Sequence, residues 1–169
     1  MFIQGIYNSL SKNIGVVVRA WAYILNLGPQ GLRSVAENAV LNANYLRKKI
    51  GESYDIPYGD YCMHEFAASA SKQKSIGIRA LDIAKRLIDY GYHPPTIYFP
   101  LIVHETLMIE PTETESIETL DAFADAMLAI AEECHTEPDM LHEAPHDTPV
   151  SRLDEAVAAR NPELKWEKK

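Results

Sequence analysis

Residues 107–116 read LMIEPTETES, and this stretch joins two different structural patterns. Residues 106–109 are β-branched or apolar, which predicts a strand, and Pro111 ends it because proline has no N–H to donate to a ladder. Thr112 and Glu115 have the hydroxyl-to-carboxylate spacing of a capping box, which predicts a helix over residues 116–133. The stretch therefore predicts a strand that leads directly into an acidic helix.

The rest of the chain alternates helical and strand patterns. An apolar segment predicts a helix over residues 14–27, with Gly28 as its αL cap and Pro29 opening the next segment. The other predicted elements are helices over 32–46, 76–88 and 151–159 and strands over 61–69 and 96–99, with Gly51 and Gly91 ending the second and third helices. This order indicates an α+β fold with helices packed on a short sheet.

The same patterns suggest three parts of the chain. Residues 1–30 form an N-terminal segment with an interdomain helix, residues 31–135 an α+β domain, and residues 136–169 a proline-rich tail. The nearly all-round apolar helix of the first part predicts a missing neighbour, so we expect the free chain to self-associate.

Composition excludes several classes of function. The chain has 169 residues and a formal net charge of −8, which argues against nucleic acid as a partner because phosphate neutralisation needs clustered Lys and Arg. No apolar run approaches the roughly 18 residues of a membrane span, and no signal-peptide pattern is present. Cys62 and Cys134 are too few for a disulfide framework, so a cytoplasmic protein is expected.

Two pairs of residues are candidates for chemistry: a histidine beside a glutamate, and two glutamates near a helix start. On a strand, His64 and Glu65 would point to opposite faces, so an ordinary structural role explains them better than a catalytic dyad. Glu110 and Glu113 could form an acid–base pair, although stabilisation of a helix N-terminus is the simpler explanation of Glu113. Glu110 precedes that helix at a strand end, where functional groups are often presented.

Three polar residues lie inside predicted helices. Arg19 sits in the apolar first helix, where a buried ion pair is its expected surrounding. Asn42 and Asn44 are poor helix formers, so we expect both to hydrogen-bond to a neighbouring domain.

The cysteines and histidines predict neither a metal site nor a nucleophile. His142 and His146 have the spacing of a helical ligand pair, but Pro145 between them interrupts a regular helix, and no Cys-x-x-Cys pair is present. Cys62 and His64 would share a strand face, but no third group is evident to orient them.

Residues 108–116 closely resemble the signature near the end of glycine decarboxylase P-proteins. Further resembling stretches follow in the family's order: 18–24 (VRAWAYI), 35–46 (VAENAVLNANYL), 63–66 (MHEF), 80–87 (ALDIAKRL), 89–91 (DYG), 143–146 (EAPH) and 158–162 (AARNP). The resemblance runs over residues 14–166 and is most like subunit 2 of the two-subunit form.

The resemblance implies the small C-terminal domain of an aminotransferase-like (fold type I) pyridoxal-phosphate enzyme. Such an enzyme decarboxylates glycine and passes the aminomethyl group to the lipoylated H protein, so the implied partners are that protein, P-protein subunit 1 and an N-terminal portion of subunit 2. The chain has no His-Lys pair and no glycine-rich loop, which hold the cofactor in the family. We therefore expect the chain alone to be inactive.

The resemblance assigns no catalytic residue in this chain. His64, Glu110 and Thr112 are candidates to line a cleft, because they lie in strings that match the family. His104 follows Val103 where the family leads us to expect a proline, a departure at this position. A stand-alone, non-catalytic assembly or regulatory domain is the alternative interpretation, and a degenerate copy without function is a third.

Overall fold

The computed structural model describes residues 2–166, with side-chain surroundings for residues 13–166. The helices of this part of the chain are α1 (Phe2–Ile50), α2 (Ser71–Lys74), α3 (Ala80–Asp89), α4 (Ile117–Thr136), α5 (Pro138–Glu143) and α6 (Glu155–Arg160). The strands are β1 (Phe66–Ser69), β2 (Thr96–Ile97) and β3 (Thr106–Ile109). The predicted α+β class is confirmed.

β3 is the middle strand of a three-stranded sheet with the order β1-β3-β2, and both pairings are antiparallel. Phe66 of β1 lies opposite Ile109, and Thr96 of β2 lies opposite Met108. A central strand is covered by neighbours on both edges, which agrees with the apolar run of residues 106–109. The predicted strand over these four residues is confirmed.

The core lies between the sheet, the C-terminal half of α1, α3 and α4. Its largest fully buried apolar side chains come from these elements, from the adjoining loops and from α5: Leu46, Ile50, Tyr54, Ile78, Ile83, Leu87, Leu107, Met127, Ile130 and Leu141. Just beyond α1, the Tyr54 hydroxyl donates to the Met127 carbonyl at 2.9 Å. Burial raises the pKa of Tyr54, so this phenol stays a neutral donor that connects the end of α1 to α4.

α1 changes direction at Gly28, as the Gly28-Pro29 pair predicts. Gly28 has a φ of 62° and a ψ of −178°, so its φ is positive but its ψ is extended rather than αL. The half before Gly28 exposes many large apolar side chains: Ile14, Val16, Val17, Val18, Trp21, Tyr23, Ile24 and Leu25. Arg19 is also exposed there, so the prediction of a buried ion pair is wrong for this chain.

The predicted strand over residues 61–69 is wrong in its first half, since β1 begins only at Phe66. The cause is Asn44 of α1. Its side-chain amide donates to the Cys62 carbonyl at 2.8 Å and accepts from the Cys62 N–H at 3.0 Å. Asn44 therefore takes the polar groups that a neighbouring strand would have bonded, and its expected bond to another domain is replaced by one inside this chain.

Two other predicted elements are shorter than expected because the backbone takes a positive φ. Gly77 has a φ of 98°, so α3 begins at Ala80 rather than at residue 76, and the N–H of Arg79 donates to the buried Asp82 carboxylate at 2.8 Å. Tyr98 has a φ of 59° and ends β2 after Ile97.

The helix after β3 begins later than the predicted capping box. Ser116 is its N-cap and accepts a hydrogen bond from the Thr119 N–H at 3.3 Å. Residues 112–115 instead form a turn in which the Glu115 N–H donates to the Thr112 carbonyl at 3.3 Å. The prediction of a helix over 116–133 is confirmed, with observed bounds of Ile117–Thr136. The prediction of a capping box at Thr112 is wrong.

The tail contains one helix that the sequence analysis missed. α5 begins with Pro138 at its first position, where the missing N–H costs nothing, and it ends at Glu143. His142 is therefore helical while His146 lies beyond the helix, so the two are not a helical ligand pair. α6 is shorter than the predicted helix over 151–159, because Asp154 caps it by accepting the Val157 N–H at 2.9 Å.

Helices α3 and α4 are joined by a half-buried charge cluster. The Arg86 guanidinium donates from Nε and Nη2 to both oxygens of Glu133, at 2.8 and 3.0 Å, and the Tyr90 hydroxyl donates to the same carboxylate at 2.7 Å. The Arg86 donors outweigh burial and hold the pKa of Glu133 below its usual value. Because the Glu133 carboxylate is charged and bidentately bound, it stabilises the folded chain at neutral pH.

We predict that Glu133→Gln lowers the free energy of unfolding by roughly 1–3 kcal/mol at pH 7. The pKa of Glu133 is depressed in the folded state, so its contribution is complete above the unfolded-state glutamate pKa of about 4.3 and is lost as pH falls through the folded value. Urea unfolding followed by circular dichroism across this pH range should show the difference from the unmodified chain shrinking in acid.

Glu132→Gln is the matched control, because Glu132 is exposed on the same helix. We expect it to change stability by less than about 0.5 kcal/mol. If Glu133→Gln lowers the free energy of unfolding by the same amount at every pH, lost packing rather than lost charge causes the effect.

Candidate functional site

An open cleft of about 410 Å³ lies where β3 leads into α4. Its floor and walls are apolar and come from four parts of the chain: Leu46 of α1, Tyr92, Pro94 and Pro95 of the loop before β2, Met108 of β3, and Phe123 of α4. The rings of Tyr92 and Phe123 meet edge to face at 5.2 Å between centroids and 85° between planes. This contact fixes the loop against α4 and shapes one wall.

The polar edge of the cleft is the segment between β3 and α4. Glu110, Thr112 and Glu115 line it, together with Thr119 on the first turn of the helix. Pro111 is buried between them, which holds the segment against the domain. The strand end and the helix start therefore present their polar groups to one space.

Asn42 of α1 fixes the geometry of this segment. Its side-chain amide donates to the Thr112 carbonyl at 2.8 Å and to the Glu115 carbonyl at 3.4 Å. Asn42 therefore holds a turn of its own chain, and its bond to a neighbouring domain stays a prediction. The Thr112 hydroxyl bonds to the Thr114 hydroxyl at 2.8 Å, which further orders the turn.

The three predicted cleft candidates lie near one another. Glu110 and Thr112 line the cleft, and His64 Nε2 lies 3.9 Å from Glu110 Oε1 with both side chains more than half exposed (55% and 58%). The sequence analysis considered His64 with Glu65, and did not pair it with Glu110. The antiparallel register that places Phe66 opposite Ile109 brings the residues just outside each strand together, and that register was the missing signal.

The second carboxylate of the cleft is Glu115, not the predicted Glu113. Glu110 and Glu115 both line the space, and they are exposed, so they form its rim. Their charges are accompanied in the lining by His93 and by no lysine or arginine. The cleft is therefore apolar inside and acidic at its edge.

These residues do not fit a site that holds pyridoxal phosphate by itself. The cofactor needs a lysine for its Schiff base and donors for its phosphate, and the cleft lining offers neither a lysine nor an arginine. Lys72 and Lys74 on α2 pair elsewhere, with Asp55 at 3.2 Å and with Glu105 at 2.5 Å. No reaction step on the cofactor can be built from this chain's residues alone.

Nucleophilic and metal sites are likewise not formed by the described residues. Burial raises the pKa of the Cys134 thiol to about 12, and it also raises that of Cys62, so both thiols stay protonated at neutral pH. In the part of the chain that the structure describes, no group of three or more His, Cys, Asp or Glu side chains could hold a metal ion. Within the same residues, no helix has the length and apolarity to cross a membrane.

The cleft lies wholly inside a region that matches a known family. The family model described as glycine dehydrogenase, C-terminal domain, matches residues 35–149. The chain belongs to this family. The resemblance drawn from residues 108–116 and the other stretches is thereby confirmed.

Curated relatives agree with the family model. The chain is 59% identical over 156 residues to a probable glycine dehydrogenase (decarboxylating) subunit 2 of Bacillus velezensis, covering 92% of this chain and 32% of that protein. It is 58% identical over 157 residues to the protein of the same name in Shouchella clausii, covering 93% of this chain and 32% of the relative. The chain therefore spans about a third of the length of the curated relatives it matches.

We predict that Asn42→Ala loosens the polar edge of the cleft. The change removes two hydrogen bonds to backbone carbonyls, so we expect a loss of about 1 kcal/mol in the free energy of unfolding. Amide exchange followed by NMR should become faster at Glu115, whose N–H closes the turn.

Asn38→Ala is the matched control, since Asn38 is exposed one turn earlier on the same helix. Alanine is the better helix former, so we expect the control to be neutral or to stabilise by a few tenths of a kcal/mol. Equal effects of the two changes would show that the Asn42 amide does not hold the turn.

Proposed function

We propose that this chain acts as the C-terminal part of the glycine cleavage system P-protein. That enzyme decarboxylates glycine on pyridoxal phosphate and passes the aminomethyl group to the lipoylated H protein. The observation that carries the proposal is the 59% identity over 92% of the chain to a probable glycine dehydrogenase (decarboxylating) subunit 2. The family match over residues 35–149, which include every cleft-lining residue, supports it.

In this proposal the chain contributes a wall of the active site rather than the cofactor site. The rest of subunit 2 supplies the lysine and the glycine-rich loop, in an aminotransferase-like (fold type I) arrangement. Glu110 and Thr112 line the wall, Asn42 positions them, and His64 stands beside Glu110. Because the chain has no His-Lys pair and no lysine in its cleft, the chain alone is inactive.

The exposed half of α1 supports a role for the predicted N-terminal segment (1–30) in contact with the rest of the enzyme. Trp21 and Leu25 of this half are more than half exposed, whereas the helix after Gly28 packs into the core through Leu46 and Ile50. The partners in this proposal are the N-terminal portion of subunit 2, subunit 1 and the lipoylated H protein. The proposal keeps the other two predicted parts of the chain, the α+β domain (31–135) and the tail (136–169).

The experiment that tests the proposal is complementation of a truncated relative. Subunit 2 of the Bacillus velezensis protein, shortened by the third that this chain matches, is combined with subunit 1, the H protein and pyridoxal phosphate. We predict that adding this chain restores release of carbon dioxide from carboxyl-labelled glycine. The mixture without the chain, and the chain without the truncated subunit, should both stay at background.

Trapping with borohydride tests where the cofactor binds. We expect peptide mass analysis to find a saturable pyridoxyl adduct on the truncated relative and none on a single lysine of this chain. Decarboxylation by the chain alone, or no rescue from a chain that is folded by circular dichroism, would contradict the proposal.

A second candidate function is a stand-alone assembly or regulatory domain. The observation that favours it is the apolar face of α1, which a free chain would cover by association. Under either function, we predict that the chain self-associates in sedimentation velocity and that Trp21→Lys shifts it towards the monomer, because Trp21 is 62% exposed on this face.

Trp166→Lys is the matched control for the association, since Trp166 is 84% exposed in the tail and away from α1 in sequence. It makes the same change of side chain and charge, and we expect it to leave the association unchanged. A monomeric unmodified chain would refute the predicted association through α1.

A further inference from the structure

We infer that the cleft beside β3 binds a primary ammonium group carried on an unbranched hydrocarbon chain, with the ammonium at the rim formed by Glu110 and Glu115 and the hydrocarbon on the apolar floor. The inference rests on the proposed function in one respect, namely that the cleft stays accessible in the assembled enzyme. The binding itself is a property of this chain and requires no catalysis.

The sign of the ligand's charge follows from the lining. Glu110 and Glu115 are the acidic side chains of the lining, and no lysine or arginine is among its residues. Among the described residues Glu115 takes part in no ion pair, and the one contact of this kind at Glu110 is His64, whose Nε2 lies 3.9 Å from Glu110 Oε1. The rim therefore repels carboxylates and phosphates and attracts a cation.

The hydrocarbon part of the ligand follows from the floor. Leu46 is buried, and Met108 and Phe123 are partly buried beneath the exposed rim, so apolarity increases with depth. The cleft volume of about 410 Å³ is within the roughly 300–1,000 Å³ typical of small-molecule pockets. Methylene groups that enter this space leave water for an apolar surface, which favours binding.

The aromatic wall adds a second attraction for a cation. The edge-to-face contact of Tyr92 and Phe123 holds two rings beside the space, and an ammonium within about 6 Å of a ring face is attracted by its quadrupole. A primary ammonium also has three donors, which match the carboxylates and the Thr112 and Thr119 hydroxyls that line the same edge.

The test is a titration of the full chain, labelled with ¹⁵N, with three ligands of equal length: hexylammonium, hexanol and hexanoate at pH 7. We expect saturable NMR shifts from hexylammonium in residues 108–123, weaker ones from hexanol, and none from hexanoate. Shortening the amine from hexyl to butyl should weaken binding by about two- to fourfold per methylene removed.

Variants separate the rim from the general negative charge of the chain. Glu115→Gln should weaken hexylammonium binding by about two- to fivefold and leave hexanol unchanged, since exposed charge pairs contribute modestly. Glu132→Gln removes the same charge from the far part of α4 and should change neither ligand's affinity. An equal effect of both variants, or shifts away from the cleft, would overturn the inference.

The outcome is distinguishable from that of the complementation experiment. Hexanoate that binds as well as hexylammonium, or no shift in residues 108–123 up to the solubility limit of the amine, overturns the ligand class whether or not activity is restored. Failed complementation with intact amine binding would overturn the proposed function and leave the ligand class standing.

Discussion

The antiparallel pairing of β3 with a neighbour on each edge is the constraint on which the candidate site depends. Pairing with β1 places Phe66 opposite Ile109, and this register brings His64 beside Glu110 just beyond the strands. Pairing with β2 places Thr96 opposite Met108, and this brings the loop with Pro94 and Pro95 to the other side of the cleft. A shift of one residue in either pairing would reverse the faces of β3 and remove Met108 from the cleft.

α1 acts on the same site through polar side chains rather than through packing alone. Asn42 bonds to two carbonyls of the turn after β3, and Asn44 satisfies both backbone groups of Cys62 before β1. An asparagine inside a helix costs stability relative to alanine, so these residues are explained by the loops they hold. Two asparagines on different sides of α1 thus fix the two irregular segments that border the sheet.

The sequence was sufficient to predict the structure where a local pattern determines it. It was insufficient where a distant side chain determines it. The strand at residues 106–109 and the break at Gly28 follow from apolar runs and from the Gly-Pro pair, and both are present. Residues 61–65 read as a strand because nothing local reveals that Asn44 will bond Cys62. Likewise, Glu110 and Thr112 were found from their position after a strand, but the partner His64 needed the sheet register.

The charge of the cleft also indicates which part of the proposed enzyme would bind the anionic groups of the substrate and cofactor. Glycine carries a carboxylate and pyridoxal phosphate a phosphate, and both anions need cationic or N–H donors. The lining of the cleft supplies carboxylates and no lysine or arginine, so the groups that hold these anions would come from the rest of subunit 2 or from subunit 1. A ligand with an amine and a carboxylate would then be oriented by the two sides of the site. The acidic cleft of this chain would attract the amine, and the cationic groups opposite it would attract the carboxylate.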